Sequence, residues 1–297
     1  MSSAKIGQDN LRGGLLMVAS MAAFSAEDTL IKGLAGGLPT GQIIATLGVT
    51  GTLALAIIAT SRGAPLFGAF ATHPMVLLRN FAEMTGAIGF VTALVLMPLS
   101  VASALFQTLP LAITLGAALF LGEKVGWRRW TAIAVGFAGV LVILRPGAEG
   151  FDLWAAAASM LAVMSLAVRD LATRRVGAGV PSLSLSVWGS LAFVPAGLAL
   201  MALAGQSPVV PDARQWVILL GASALGVAGY WLMVVATRVG EVSAVMPYRY
   251  SRILFSLLLG WAVFAERPDW GVWLGSAMIV GSGLYTFFRE RALRLRG

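Results

Sequence analysis

Leu99–Leu121 reads LSVASALFQTLPLAITLGAALFL and carries no charge over its whole length. A helix rises 1.5 Å per residue. About 20 mainly apolar residues therefore cross the ~30 Å hydrocarbon core of a bilayer, and this stretch is long enough. Nine further stretches qualify: Leu11–Leu34, Leu38–Thr60, Met75–Leu96, Trp127–Leu144, Leu153–Thr173, Ser182–Leu203, Gln215–Ala236, Val242–Phe264 and Trp270–Phe288. The breaks between them carry turn chemistry, as in Gly36-Gly37-Leu38-Pro39, Met97-Pro98, Arg145-Pro146-Gly147, Gly179-Val180-Pro181 and Arg267-Pro268-Asp269. A transmembrane barrel would alternate polar and apolar residues over strands of ~10 residues. These runs are continuous and about twice that length. The sequence therefore predicts an all-α membrane protein of ten transmembrane helices.

Composition agrees. Of 297 residues, 58% are hydrophobic and 11% charged, against about 25% charged in a soluble domain. The mean hydropathy is +0.86. A soluble enzyme, a disordered chain and, with no cysteine, a disulfide-stapled domain are excluded. Without thiolates and with His73 as the one histidine, no metal site and no cofactor is expected.

The net charge of +8 is topological. With the N-terminus in the cytoplasm, Lys5, Arg12, Arg62, Lys124, Arg128, Arg129, Arg169, Arg174, Arg175, Arg238, Arg289, Arg291, Arg294 and Arg296 fall on the cytoplasmic side. Lys32, Arg145, Arg214 and Arg267 fall opposite. That bias puts both termini in the cytoplasm. A nucleic-acid partner would need a basic soluble face, and none is left. The first span holds Glu27, Asp28 and Lys32, unlike a signal peptide. Trp127, Trp130, Trp154, Trp216, Trp270 and Trp273 fall at helix ends, as interfacial anchors do.

The two halves echo each other. Asp28, Lys32, Gly37 and Pro39 match Asp170, Arg174, Gly179 and Pro181 at one offset of 142. Leu121-Gly122-Glu123 with Trp127 matches Phe264-Ala265-Glu266 with Trp270 at 143, and Ser103-Ala104 matches Ser243-Ala244 at 140. The units divide as 1–147 and 148–297, with five helices each. Five crossings turn the second unit upside down, the arrangement of many secondary transporters, whose substrate sites lie near midplane where the units meet.

On these residues the chain resembles the EamA-type, ten-helix members of the drug/metabolite transporter superfamily. The carrying features are Pro110-Leu111 and Leu121-Gly122-Glu123 before Trp127, the echo at Phe264-Ala265-Glu266, and the glycines of the fifth and tenth helices (Gly136, Gly139; Gly275, Gly281, Gly283). The chain is most similar to the YddG-type exporters of aromatic amino acids. That resemblance implies export from the cytoplasm across the cell (inner) membrane. The second unit departs from the pattern, with Ile253 where the first has Pro110, which argues against a kink shared at that point.

An ionisable residue at the bilayer centre costs about 2.5–3.5 kcal/mol on insertion scales and faces a bundle interior or wet cavity by default. Glu27, Asp28, Arg79, Glu83, Arg249 and Arg252 all lie within spans. Arg79 and Glu83 are one turn apart on the third helix, with Asn80 beside them, so Glu83 is either a coupling or substrate carboxylate or one half of an ion pair. Arg249 and Arg252 lie near one face of the ninth helix and call for an anion, from Glu27, Asp28, Glu83 or a substrate carboxylate. Pro247 can loosen the start of that helix. Trp231 and Tyr248, with Tyr230 and Tyr250, could wall a pocket for an aromatic substrate. On the fourth helix Gln107 can satisfy a carbonyl freed by Pro110 or bind a polar substrate group, while Phe106 is expected to point elsewhere. Ser20, Phe24 and Glu27 form one stripe on the first helix. Asp28 and Lys32 read as an i,i+4 pair, Glu123 and Glu266 as salt bridges to Lys124 or Arg267, and Arg169 as a snorkelling interfacial residue.

The substrate-binding set is thus Glu83, Gln107, Trp231, Tyr248, Arg249, Arg252, Asn80 and Phe24, with Glu27, Asp28, Arg79, Pro110 and Pro247 coupling or gating. The expected cavity is lined by helices one, three, four, six, eight and nine. The leading function is a secondary transporter exporting small organic solutes, amino acids and among them aromatic ones first, by alternating access around a midplane cavity, driven by protons through Glu83 or by the substrate gradient. A multidrug or organic-cation exporter is the alternative, and a non-transport assembly subunit the alternative of another class. No enzyme motif is present. The partners called for are the small-molecule substrate and the lipid bilayer; the sequence is compatible with a monomer and does not fix the oligomeric state.

Overall fold

The computed structural model describes residues 3–122, 126–149, 151–176, 180–239 and 241–294, and among these the side chains outside 3–7, 242–243 and 290–294. Glu123, Lys124 and Gly179 lie outside the described residues. Ten helical spans follow in chain order: Ser3–Gly33, Thr40–Ser61, Pro74–Leu96, Leu99–Phe120, Trp127–Leu144, Leu153–Arg175, Ser182–Leu203, Ala213–Val239, residues 242–264 and Trp270–Arg294. Eight are long and apolar enough to cross a membrane unaided. The third, diluted by Arg79, Asn80 and Glu83, and the ninth, which begins in short pieces, are not among those eight. They are the two spans whose polarity the surrounding bundle must shelter.

The interfaces repeat as the units do. The first span packs on the eighth, and the third packs on the sixth. Exchanging the units maps one interface onto the other, because first corresponds to sixth and third to eighth. The second span packs on the seventh and the fifth on the tenth, each crossing its own counterpart. Glycine makes both self-crossings possible. A Cβ on Gly139 would lie 2.8 Å from the Gly275 carbonyl oxygen, and one on Gly275 would lie 2.6 Å from that of Gly139. Gly41 and Gly197 meet the same way, each facing the other's carbonyl. Small residues let helix backbones close up in lipid.

Two spans are broken at matching depth. The fourth is interrupted at Gln107–Thr108, and its second segment, Leu109–Phe120, starts with Pro110 in its first turn. The ninth opens with a 3-10 turn, Met246–Tyr250, before the α-helix Ser251–Phe264. At the 143-residue offset Tyr250 corresponds to Gln107, so the breaks coincide although Pro110 faces Ile253. Pro247 performs the second interruption from the other side of the break. The expected loss of a shared kink is therefore corrected. Both spans also end alike, Gly122 and Ala265 having φ of 67° and 54°. A left-handed residue closes a helix at low cost when it is glycine; the alanine adopts it too.

One end of the bundle is tied shut. Glu266 accepts hydrogen bonds from the backbone N–H of Leu99 (2.6 Å) and Ser100 (3.1 Å) and from the Ser100 hydroxyl (2.8 Å). It thereby caps the fourth span, in place of the expected bridge to Arg267. Lys32 donates to the carbonyls of Leu94 (3.1 Å) and Met97 (2.5 Å) at the end of the third span. Arg145 pairs with Asp269 at 2.9 Å. The six tryptophans read as anchors are exposed on the outer surface, where lipid headgroups would meet them.

Candidate functional site

Two clusters of mutually neutralising charges lie within the bundle among the described residues. In the first cluster Asp28 accepts from Arg252, with Oδ2 2.6 Å from Nη2 and 3.2 Å from Nε. Asp28 is 1% and Arg252 9% exposed. Asp28 therefore does not form the i,i+4 pair with Lys32. The guanidinium carbon lies 5.5, 5.5 and 5.2 Å from the ring centres of Phe24, Phe90 and Phe106. Three ring faces around one cation are favourable cation–π contacts. Below them a serine chain joins spans one, four and nine: Ser103 donates to Ser256 (2.7 Å), and Ser25 and Ser256 share a bond of 3.2 Å.

In the second cluster Glu83 bridges two arginines. Its Oε2 lies 3.4 Å from Arg79 and its Oε1 3.0 Å from Arg169. Arg79 also donates to the Asn80 amide oxygen, 3.1 Å away. Arg169 is fixed a second time by Asp170 Oδ1 at 2.8 Å. It is not a snorkelling residue: its head turns inward to tie the sixth span to the third. Gly189 on the seventh span covers this knot, since a Cβ there would sit 2.8 Å from Arg79 Nη1.

A cavity of about 570 Å³ lies between spans one, four, six, nine and ten. Its polar lining comes from Gln107, Thr114, Asp170, Thr173, Arg174, Arg249, Tyr250 and Arg252, and its apolar walls include Phe24, Phe106 and Phe287. It lies toward the bundle end formed by the last turns of spans four, six and ten, opposite the end tied by Glu266 and Lys32. Gln107 donates from Nε2 to the carbonyl of Arg249 at 3.0 Å. It satisfies a carbonyl in the loosened turn of the other unit rather than one in its own helix. That bond fixes the backbone from which Arg249 reaches the cavity. Among the described residues no hydrogen bond or ion pair ties down the Arg249 guanidinium.

Asp170 is the carboxylate that sequence reasoning passed over, although its match to Asp28 at offset 142 marked it. Asp28 is neutralised by Arg252. The residue 143 positions before Arg252 is Leu109, which shares the cavity lining with Asp170. With no counterpart of Arg252 across from it, Asp170 meets Arg169 through Oδ1 and lines the cavity with Arg249. The pseudo-symmetry thus breaks at the site.

Of the residues expected to bind substrate, the cavity brings together Phe24, Gln107, Arg249 and Arg252, with Pro110 and Pro247. It does not include Glu83 or Asn80, held in the knot, or Trp231 and Tyr248. Trp231 is 41% exposed and stacks under Arg62 at 4.3 Å. Tyr248, equally exposed, covers Gly14. Tyr230 bonds Ser186 at 2.6 Å, so Tyr250 is the one tyrosine of that set in the lining. Phe106, expected to point away, lines the cavity. The expected third and eighth helices contribute no described lining residue, and the tenth does through Gly283, Thr286 and Phe287. His73 caps the third span, accepting from the Met75 N–H at 3.2 Å.

The family model for the EamA-like transporters matches residues 11–145 and again 153–288. The chain belongs to the EamA-like transporter family. Its two matches fall on the two five-span units, so this is a multi-pass membrane transporter of the drug/metabolite type and not an enzyme. A riboflavin transporter of Rhizobium johnstonii is 31% identical over 72% of this chain and 70% of its own length. An S-adenosylmethionine uptake transporter of Rickettsia conorii is 24% identical over 74% of each chain. The pseudopaline exporter CntI of Pseudomonas aeruginosa is 27% identical over 92% of this chain and 95% of its own. Like these EamA relatives, the chain moves small molecules across the bacterial inner membrane.

Proposed function

We propose that this transporter exports small zwitterionic metabolites bearing a flat ring, aromatic amino acids first among them, by alternating access. The observation that carries the reading is the Arg249 guanidinium, which has no hydrogen bond or ion pair among the described residues and faces a cavity that Asp170 also lines. A free amino acid presents one carboxylate and one ammonium. Arginine is suited to grip a carboxylate with two parallel bonds, and the Asp170 carboxylate accepts from an ammonium. Phe24, Phe106, Tyr250 and Phe287 supply ring faces for the remainder. The Arg249 guanidinium in the same cavity disfavours a purely cationic solute. The units 1–147 and 148–297 would rock about the cavity, with both termini cytoplasmic. The hollow end then faces the cytoplasm, the side from which an exporter loads, and the Glu266 and Lys32 ties close the outside.

The test is flux in liposomes with labelled tryptophan, riboflavin and a quaternary ammonium. Tryptophan is expected to move. Arg249→Gln is expected to slow it about 10–100-fold, since a charged hydrogen bond contributes about 1.5–3 kcal/mol and 1.4 kcal/mol is tenfold. Tryptophan flux unchanged in Arg249→Gln, or movement of riboflavin or the ammonium alone, refutes the reading.

A further inference from the structure

We propose that Glu27 is a proton-binding site, and that solute movement is coupled to protons through this carboxylate and not through Glu83. The proposal goes beyond the solute reading, and its first test needs no solute. Both Glu83 oxygens are engaged, one by Arg79 and one by Arg169. The four charges of that knot cancel. Asp28 is likewise matched by Arg252. Glu27 is different. It lies in the last third of the first span, within two turns of Gly33, half-buried, with no hydrogen bond or ion pair among the described residues.

Its place is built. Gly226 of the eighth span leaves room for the carboxyl group: a Cβ there would lie 2.5 Å from Oε1 and 3.0 Å from Oε2. One turn back along the first span, Phe24 packs on Gly229 in the same way, and Ser20 donates to the Gly229 carbonyl at 2.7 Å. The stripe Ser20, Phe24, Glu27 is therefore the face by which the first span lies on the eighth, across the boundary between the two units. An unpaired carboxylate inside the hydrocarbon region is costly when ionised. A protonated one lies against glycine backbone without that cost. The closed crossing thus favours the acid form, and an opening that admits water to the crossing favours release of the proton.

The groups on the packed elements leave Glu27 as the one that changes charge. On its own span Asp28 turns to the ninth, and Lys32 is held by carbonyls of the third. The eighth span offers Tyr230, bonded to Ser186, with Arg214 and Arg238 at its two ends. The ninth offers Arg252, matched by Asp28, with Tyr248 over Gly14 and Arg249 and Tyr250 in the cavity. The third offers Arg79 and Glu83, matched in the knot, and the fourth has no charged residue. Phe24 links the proposed site to the solute. Its ring rests on Gly229, forms part of the cavity wall and faces Arg252.

Infrared pH-difference spectra of the purified protein in lipid test proton binding directly. The wild type should show the C=O stretch of a carboxylic acid that vanishes as pH rises. Glu27→Gln should lack it, Glu27→Asp should keep it at a shifted position, and Glu83→Gln should keep it unchanged. In liposomes, an imposed pH gradient should drive tryptophan accumulation by the wild type, while Glu27→Gln retains tryptophan exchange at zero gradient and loses at least tenfold of the gradient-driven accumulation. A band that survives in Glu27→Gln, a band absent from Glu27→Asp, or gradient-driven accumulation by Glu27→Gln equal to wild type overturns the proposal. If tryptophan is not carried at all, the solute reading fails while the infrared result still decides the proton site.

Discussion

Asp28→Asn removes the anion that balances Arg252 and leaves the geometry otherwise intact. The charges are 2.6 Å apart. At an effective dielectric of ~20 their gross attraction is about 6 kcal/mol, against a desolvation penalty of several kcal/mol per ion. The pair as a whole therefore contributes little net stability. Removing one partner is another matter, because Arg252 would remain charged among Phe24, Phe90 and Phe106 without its ion-pair partner. Breaking a buried pair from one side costs about 3–5 kcal/mol. Replacing both partners, as in Asp28→Asn with Arg252→Met, should cost less than Asp28→Asn alone. Equilibrium unfolding in mixed micelles on the two single variants and the double gives the coupling, expected at about 2–3 kcal/mol, the top of the range for residues in contact. A single variant within ~0.5 kcal/mol of wild type, or additive behaviour of the two, refutes the reasoning.

The glycine crossings make a graded set in the same unfolding assay. Gly197→Ala and Gly139→Ala place a Cβ against a carbonyl oxygen of the facing helix and should each cost about 1–3 kcal/mol. Gly281→Ala, with nothing within 4 Å of its Cβ, should be near neutral. Asp170→Asn should weaken tryptophan flux about tenfold or more while sparing indole-3-propionate, which lacks the ammonium, because one charged hydrogen bond is worth about 1.5–3 kcal/mol; competition assays with the two compounds measure it.

The ten spans and the exposed tryptophans could be read from the sequence because lipid imposes length and hydropathy on every helix, whatever it packs on. The break in the ninth span was only half legible. Pro247 marked it, but the alignment of Pro110 with Ile253 argued against a break matching the one at Gln107–Thr108. Partner choice was the least legible layer. Asp28 and Lys32 stand one turn apart, yet each is held from another helix. Arg169 sits near a helix end, where sequence suggests snorkelling, and the crossing with the third span turns it inward to Glu83. Trp231 and Tyr248 are aromatic residues beside functional ones, but helix rotation sends them outward. Asp170 entered the candidate site only through an absence in the other unit: Leu109 stands where a counterpart of Arg252 would be. No local pattern encodes that.

The chain has no cysteine, so a single Thr114→Cys on the cavity wall is a clean reporter of access. In vesicles of known orientation an impermeant maleimide should label it from the cytoplasmic face, and saturating tryptophan should slow that labelling at least tenfold. Labelling only from the outer face, or at one rate with and without tryptophan, would contradict a solute cavity open toward the cytoplasm.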